Sequence, residues 1–133
     1  MSHAAVKTNP GPGFTTHPDH AITINLSNQR VRVMLGGEAI ADSTQAIVLN
    51  EGDYDPTYYF PRRDVRMELM SRTDHKTHCP FKHDASYWTI RAGDKQAVNA
   101  AWSYETPYDE VVDIKDYIAF YPDRIDSIEQ GVM

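Results

Sequence analysis

The stretch Arg30-Val31-Arg32-Val33-Met34-Leu35-Gly36-Gly37-Glu38-Ala39-Ile40-Ala41-Asp42 decides the fold class. Val31, Val33 and Leu35 fall on one side of an extended chain and Arg30, Arg32 and Met34 on the other, because successive strand side chains point to opposite faces. Gly36-Gly37 is a two-residue connection able to take the positive φ that a type I′ turn demands at both positions. The segment therefore reads as a hairpin of two strands, 30–35 and 38–42.

Working outward, the same grammar recurs. Residues 21–26 and 45–50 are short β-branched and apolar runs, and 57–60 (Thr-Tyr-Tyr-Phe) is stopped by Pro61. Residues 64–69 alternate, with Val65, Met67 and Leu69 predicted inward and Asp64, Arg66 and Glu68 outward. Residues 86–91 and 97–104 flank a second hairpin signal, Gly93-Asp94, and 117–121 runs up to Pro122. A turn or two of helix is expected only around 109–115. The prediction is an all-β domain over 21–126, with eight or nine strands in two packed antiparallel layers. Residues 1–20, with Pro10, Gly11, Pro12, Gly13 and Pro18 and no periodicity, read as a flexible N-terminal arm, and 127–133 as a C-terminal tail.

Composition narrows the classes. A length of 133 residues suits one domain, and 41% hydrophobic with 24% charged residues argues against wholesale disorder. A single cysteine excludes an internal disulfide framework and the multi-cysteine zinc modules. No apolar stretch approaches the length of a membrane span or signal-peptide core, so the expectation is a soluble cytoplasmic protein with no membrane partner. The net charge of -6 is local: Glu105, Asp109, Glu110, Asp113, Asp116, Asp123, Asp126 and Glu129 face only Lys115 and Arg124 in the last segment. That acidic end repels phosphate backbones and argues against a nucleic-acid partner. Arg62, Arg63, Arg66, Arg72, Lys76 and Lys82 concentrate in the middle, an asymmetry that suits a small anionic ligand, with solvated polar faces as the more ordinary reading.

Several segments read together as a series: Tyr58-Tyr59-Phe60-Pro61-Arg62-Arg63-Asp64-Val65-Arg66-Met67, Asp74-His75-Lys76-Thr77-His78-Cys79-Pro80-Phe81-Lys82, Ala85-Ser86-Tyr87-Trp88, Asn99-Ala100-Ala101-Trp102-Ser103-Tyr104 and Tyr117-Ile118-Ala119-Phe120-Tyr121. In order and spacing, from about Arg30 to Asp126, this resembles the small bacterial and fungal family catalogued as domain of unknown function 427. The resemblance implies a β-tent (Mss4-like) fold, two antiparallel sheets meeting at an angle, shared with zinc-pinned relatives such as the thalidomide-binding domain of cereblon and methionine sulfoxide reductase B. The zinc knuckle of those relatives is absent, since only Cys79 is available. The family also carries the label nucleotidyltransferase-like. One departure stands out: His83 occupies a position where the family usually has Gly, and a positive φ there is costly for His.

Candidate sites follow from side-chain chemistry. Tyr59, Trp88, Trp102, Tyr104 and Tyr121 lie on separate strands, and rings with polar edges in a cleft between sheets stack on a planar ligand while orienting it. Their plainer role is core: Trp88 shares a face with Ile90, and Trp102 with Val98 and Ala100. Asn99, in a strand of small apolar residues, needs a hydrogen bond from a bulged backbone or a ligand. Arg63, Arg66 and Lys82 are candidate cationic anchors, with solvent exposure beside Asp64 and Glu68 as the alternative for the arginines. His75, His78, Cys79 and His83 form an H-x2-H-C-x3-H arrangement, but adjacent His78 and Cys79 would point oppositely in an extended segment, so no metal or other cofactor is expected.

Cys79 is also a candidate nucleophile if His75 or His78 favours its thiolate, against the reading of a small buried hydrophobe before Pro80. Asp53-Tyr54-Asp55, with Glu51 nearby, is a D-x-D able to hold magnesium, yet no glycine-rich phosphate loop accompanies it. The leading expectation is a domain that binds a planar or anionic small molecule in an aromatic cleft through Tyr59, Arg63, Arg66, His75, Cys79, Lys82, Trp88, Asn99, Trp102, Tyr104 and Tyr121. The alternatives are an enzyme, by nucleotidyl transfer at Asp53 and Asp55 or thiol chemistry at Cys79, and a protein-interaction module using strand edges.

Overall fold

A computed structural model describes residues 9–131. After a short helix, α1 (Pro12–Thr16), the chain forms ten strands: β1 (Ile22–Leu26), β2 (Val31–Leu35), β3 (Glu38–Ser43), β4 (Ile47–Glu51), β5 (Thr57–Tyr59), β6 (Met70–Cys79), β7 (His83–Ala92), β8 (Lys95–Ser103), β9 (Ala119–Phe120) and β10 (Ser127–Gln130). All pairings are antiparallel. They make three sheets rather than the two expected: β1-β4-β5, β10-β2-β3 and β6-β7-β8-β9. The protein is all-β, as its period-two pattern predicts.

The opening hairpin forms as read. Val31, Val33 and Leu35 are buried, and Gly36 and Gly37 both have positive φ, 60° and 81°. Gly36 has a second constraint: a Cβ there would collide with the Ala92 carbonyl at the tip of the β7–β8 hairpin, so the two turns pack backbone to backbone.

Residues 64–69 do not form the predicted strand. Two 3-10 turns, Arg62–Asp64 and Met67–Leu69, replace it. Their N–H groups bond locally, Asp64 to Pro61, Val65 to Arg62 and Leu69 to Arg66, while the Arg66 N–H ties the segment to Ile40 of β3. Val65, Met67 and Leu69 still pack on the first core, so burial and alternation agree with the reading although the backbone does not. The 3-10 turn Asp109–Ile114 fills the place of the expected helical turn.

Two strands have no counterpart in the hydrophobic pattern. β6 is mostly exposed and is held by its ladder to β7, and β10 adds to the edge of β2, where Arg32 pairs with Glu129 at 2.9 Å. Residues 127–130, read as tail, are thus a sheet edge. Residues 9–20, read as an arm, are seated: Gly13 N donates to Pro80 O, and Phe14 and His20 pack on Phe81 at 5.0 and 3.9 Å between ring centres. The rest of that arm lies outside the described residues. No helix among the described residues is long and apolar enough to cross a membrane.

Two apolar clusters result. The first gathers Val31, Val33, Leu35, Ile40, Phe60, Trp88, Ile90, Ile118 and Phe120. The second gathers Leu49, Tyr59, Tyr87, Tyr104, Val111 and Ile114, with Cys79, Trp102 and Tyr121 partly buried against them.

Candidate functional site

The second cluster is unusual for a core in being built of tyrosines. β5 supplies Tyr59, β7 Tyr87 and β8 Trp102, with Tyr104 just beyond β8 and Tyr121 just beyond β9. Trp102 meets Tyr121 at 4.5 Å between ring centres and Tyr59 edge-on at 6.3 Å, while Tyr87 and Tyr121 stack at 6.3 Å. A chain of hydroxyls runs along one side: Thr77 Oγ1 to Tyr87 Oη at 2.9 Å and Tyr87 Oη to Tyr121 Oη at 3.0 Å. The exposed His75 ring packs edge-on to Tyr87 at 4.5 Å.

Burial sets the ionisation of these rings. It raises the pKa of Tyr59, partly offset by a hydrogen bond with Trp102, and raises that of Tyr104. Tyr121 is pushed up to about 12 by burial and by its bond with Tyr87. All three are therefore neutral donors at physiological pH.

At the end of the β6–β7 hairpin lies a buried ion pair. Lys82 is 7% exposed, and its Nζ donates to Glu51 Oε1 at 2.6 Å and lies 3.8 Å from Cys79 Sγ. His20, from the N-terminal segment, meets the other oxygen of Glu51 at 2.8 Å. Burial works to raise the Glu51 pKa, but Lys82 and His20 outweigh it, so the carboxyl sits below its ordinary range. Gly13 seats against Phe81, where a Cβ would strike the ring, so the N-terminal segment closes over this hairpin end.

Of the residues singled out in the sequence, Tyr59, His75, Cys79, Lys82, Trp102, Tyr104 and Tyr121 come together here. The others lie elsewhere. Trp88 is buried in the first cluster beneath the Arg62 and Arg72 guanidiniums, 5.1 and 4.7 Å from its ring. Both arginines pair with Glu105, at 2.9 and 2.7 Å, and with Ser86 they push its carboxyl down to about 2 against the opposing effect of burial. Arg63 is exposed, and Arg66 pairs with Glu38 and Glu68.

Asn99 sits in a β-bulge with φ 51°, where β8 spends residues 98–100 against Thr89 of β7. Its amide oxygen accepts from Thr73 at 2.7 Å, its N–H donates to Thr89, and its carbonyl accepts from Arg124. Asp53 and Asp55 are exposed in the loop after β4.

The histidine-cysteine series splits within its hairpin: the His78 and His83 rings lie 5.8 Å apart, 2.7 and 3.9 Å from the Asp84 carboxylate, while His75 packs on Tyr87. His83 also packs edge-on to Tyr108 at 4.7 Å, and Cys79 faces Lys82. His83 has φ 90°, so the backbone keeps the conformation that glycine would take without strain.

Tyr87, Glu51 and Thr77 belong to the cluster but were not among the expected site residues. Tyr87 had a legible signal: it neighbours Trp88, so once Trp88 shares a face with Ile90, Tyr87 must project to the other side with Ala85. The rings pack on one another, and no pocket opens among the described residues. The expected cleft is thus filled by its own lining.

No curated protein matches the chain. The profile of the family described as a domain of unknown function (DUF427) matches residues 23–131, and over that span, most of its length, the chain belongs to this family.

Proposed function

We propose that the protein binds a planar small molecule at the half-buried rim of the second cluster, where the part-exposed Trp102 and Tyr121 rings meet and the buried Tyr87 stacks on Tyr121. The observation that carries this reading is the convergence of four tyrosines and a tryptophan, from four strands and their ends, beside a buried Lys82–Glu51 pair. Aliphatic side chains fill a core without hydroxyls that need partners, whereas rings with polar edges combine stacking with orientation. Ligand entry requires Trp102 and Tyr121 to part. Binding needs no metal in this reading, and the cytoplasm is its setting. The β-tent description of the sheets rests on the family resemblance.

A thermal-shift screen of nucleotides and heterocyclic metabolites, run with chelator present, is expected to find a stabiliser whose effect disappears in Trp102→Ala. Stabilisation that appears only with magnesium and vanishes in Asp55→Asn would favour nucleotidyl transfer instead.

A second reading, thiol chemistry at Cys79, is favoured by the Lys82 ammonium 3.8 Å from its sulfur. Rapid alkylation of Cys79 by iodoacetamide near neutral pH supports it, and protection until unfolding removes it.

A further inference from the structure

The face of the four-stranded sheet that carries Trp88 turns from apolar to polar one step along the ladder. Arg72, Trp88 and Ala101 stand opposite one another on β6, β7 and β8, and the next row on that side is Lys76, Ser86 and Ser103. An unbroken ladder would set Asp74 against Ser86. The irregularity in β6 between Arg72 and Lys76 sets Lys76 there instead, which replaces an acid by a base. Ser86 and Ser103 are 8% and 0% exposed, at places where apolar residues would simply extend the first cluster. Their hydroxyls hold charged side chains: Ser86 Oγ donates to Glu105 at 3.1 Å, and Ser103 Oγ accepts from Arg62 at 3.2 Å.

Three cations converge here on one carboxylate. Arg72 grips both oxygens of Glu105, at 2.9 and 2.7 Å, and Arg62 adds a bond of 2.9 Å. Lys76 Nζ donates to Ser86 Oγ at 3.4 Å, and that hydroxyl in turn donates to Glu105. No other carboxylate among the described residues lies within ion-pair distance of Arg62, Arg72 or Lys76, and Asp84 nearby is engaged by His78. Three cations against one carboxylate leave two positive charges, in a chain whose net charge is -6. The Trp88 ring braces both guanidiniums, while Arg72 and Lys76 remain exposed, so the surplus is open to solvent.

We propose that this face is a second binding site, for a doubly charged tetrahedral oxyanion, phosphate or a phosphate monoester, held by Arg72 and Lys76, and that the Glu105 carboxylate occupies the arginine fork until such an anion replaces it. A planar guanidinium takes two oxygens at once and an ammonium takes a third, all as charge-assisted bonds. Tyr87 and the second cluster lie on the opposite face of β7, so this site does not depend on the aromatic reading.

The test is a titration of the full chain with inorganic phosphate, methyl phosphate and acetate, read by amide chemical shifts at low ionic strength and about pH 8, where the phosphates are doubly charged. Phosphate is expected to bind with a Kd of about 1 mM and acetate about tenfold more weakly, with shifts gathered at Arg72, Lys76, Ser86 and Glu105. Methyl phosphate at least as tight as phosphate assigns a monoester, and weaker binding the free ion. Glu105→Gln removes the competing carboxylate and is expected to tighten phosphate about tenfold, whereas Lys76→Ala weakens it about fivefold.

Acetate equal to phosphate, shifts centred on other residues, or no shifts well above the expected Kd overturns the proposal. So does phosphate affinity that is unchanged or weaker in a folded Glu105→Gln variant. Should that variant fail to fold, Lys76→Ala decides alone, since the Lys76 side chain is exposed and its removal leaves the core intact: unchanged phosphate affinity there overturns the site.

Discussion

The two apolar clusters lie in one small domain and share the strand β7, yet they are made of different chemistry. Along β7, Trp88 and Ile90 project into the first cluster, and Ala85 and Tyr87 into the second. The buried members of the first are aliphatic side chains with Phe60, Trp88 and Phe120 and carry no hydroxyl, and its charges lie outside: Arg30 on Asp42, Arg32 on Glu129, and Arg62 and Arg72 on Glu105. The second holds hydroxyls, a thiol and an ion pair, with half-buried rings at its rim. The contrast separates two uses of burial. Hydroxyl-free packing stabilises at little polar cost, whereas a tyrosine-lined cluster must satisfy its hydroxyls and gains orientation of whatever binds.

The largest effect that tests this division is Phe60→Ala. Phe60 is fully buried in the first cluster and meets Phe120 edge-on, so its truncation is expected to cost about 3–5 kcal/mol in denaturant unfolding. Trp102→Ala, at a half-buried rim, is expected to cost clearly less. Equal losses would make the second cluster simply more core.

Next comes Glu51→Ala, which strands the Lys82 ammonium in a buried place. A loss of about 2–4 kcal/mol is expected, and it should shrink when Lys82→Met is added, because no uncompensated charge then remains. An additive double variant would deny the coupling.

Acid stability sharpens the description of the first cluster's rim. Glu105, held at about 2 in the native state against an ordinary 4.5, contributes stability that is fully present above the higher value and is lost as pH falls toward the lower. Discounted for solvent screening, the loss is about 1–2 kcal/mol between those pH values, and it should flatten in Glu105→Gln.

The smallest effect belongs to His83→Gly at the end of the β6–β7 hairpin. Relief of the positive φ is expected to raise stability by about 0.5–1 kcal/mol after the edge contact with Tyr108 is lost. A net destabilisation would mean that the ring contact outweighs the backbone strain.

Particular residues show how much was legible in the sequence. The Gly36-Gly37 turn and the Val31, Val33, Leu35 face were readable because φ preference and period two are local properties. β6 was not readable: its side chains are exposed, so its position comes from backbone bonds to β7. Residues 64–69 misled because burial of Val65, Met67 and Leu69 is compatible with both a strand and successive tight turns. At the site, the aromatic types and Lys82 stood out, but Glu51, some thirty positions away, did not announce itself as their partner.

Amino-acid order alone therefore determined the all-β class, the glycine turns, the apolar faces and the kinds of side chain available for a site. The tertiary structure decided which of those side chains meet. It put Trp88 beneath two arginines, drew Asn99 into a bulge, closed residues 9–20 over Phe81 and brought Lys82 onto Glu51. The reason is one of range: alternation and turn geometry are set by neighbours in the chain, whereas hydrogen-bond and ion-pair partners are set by strand register across long separations.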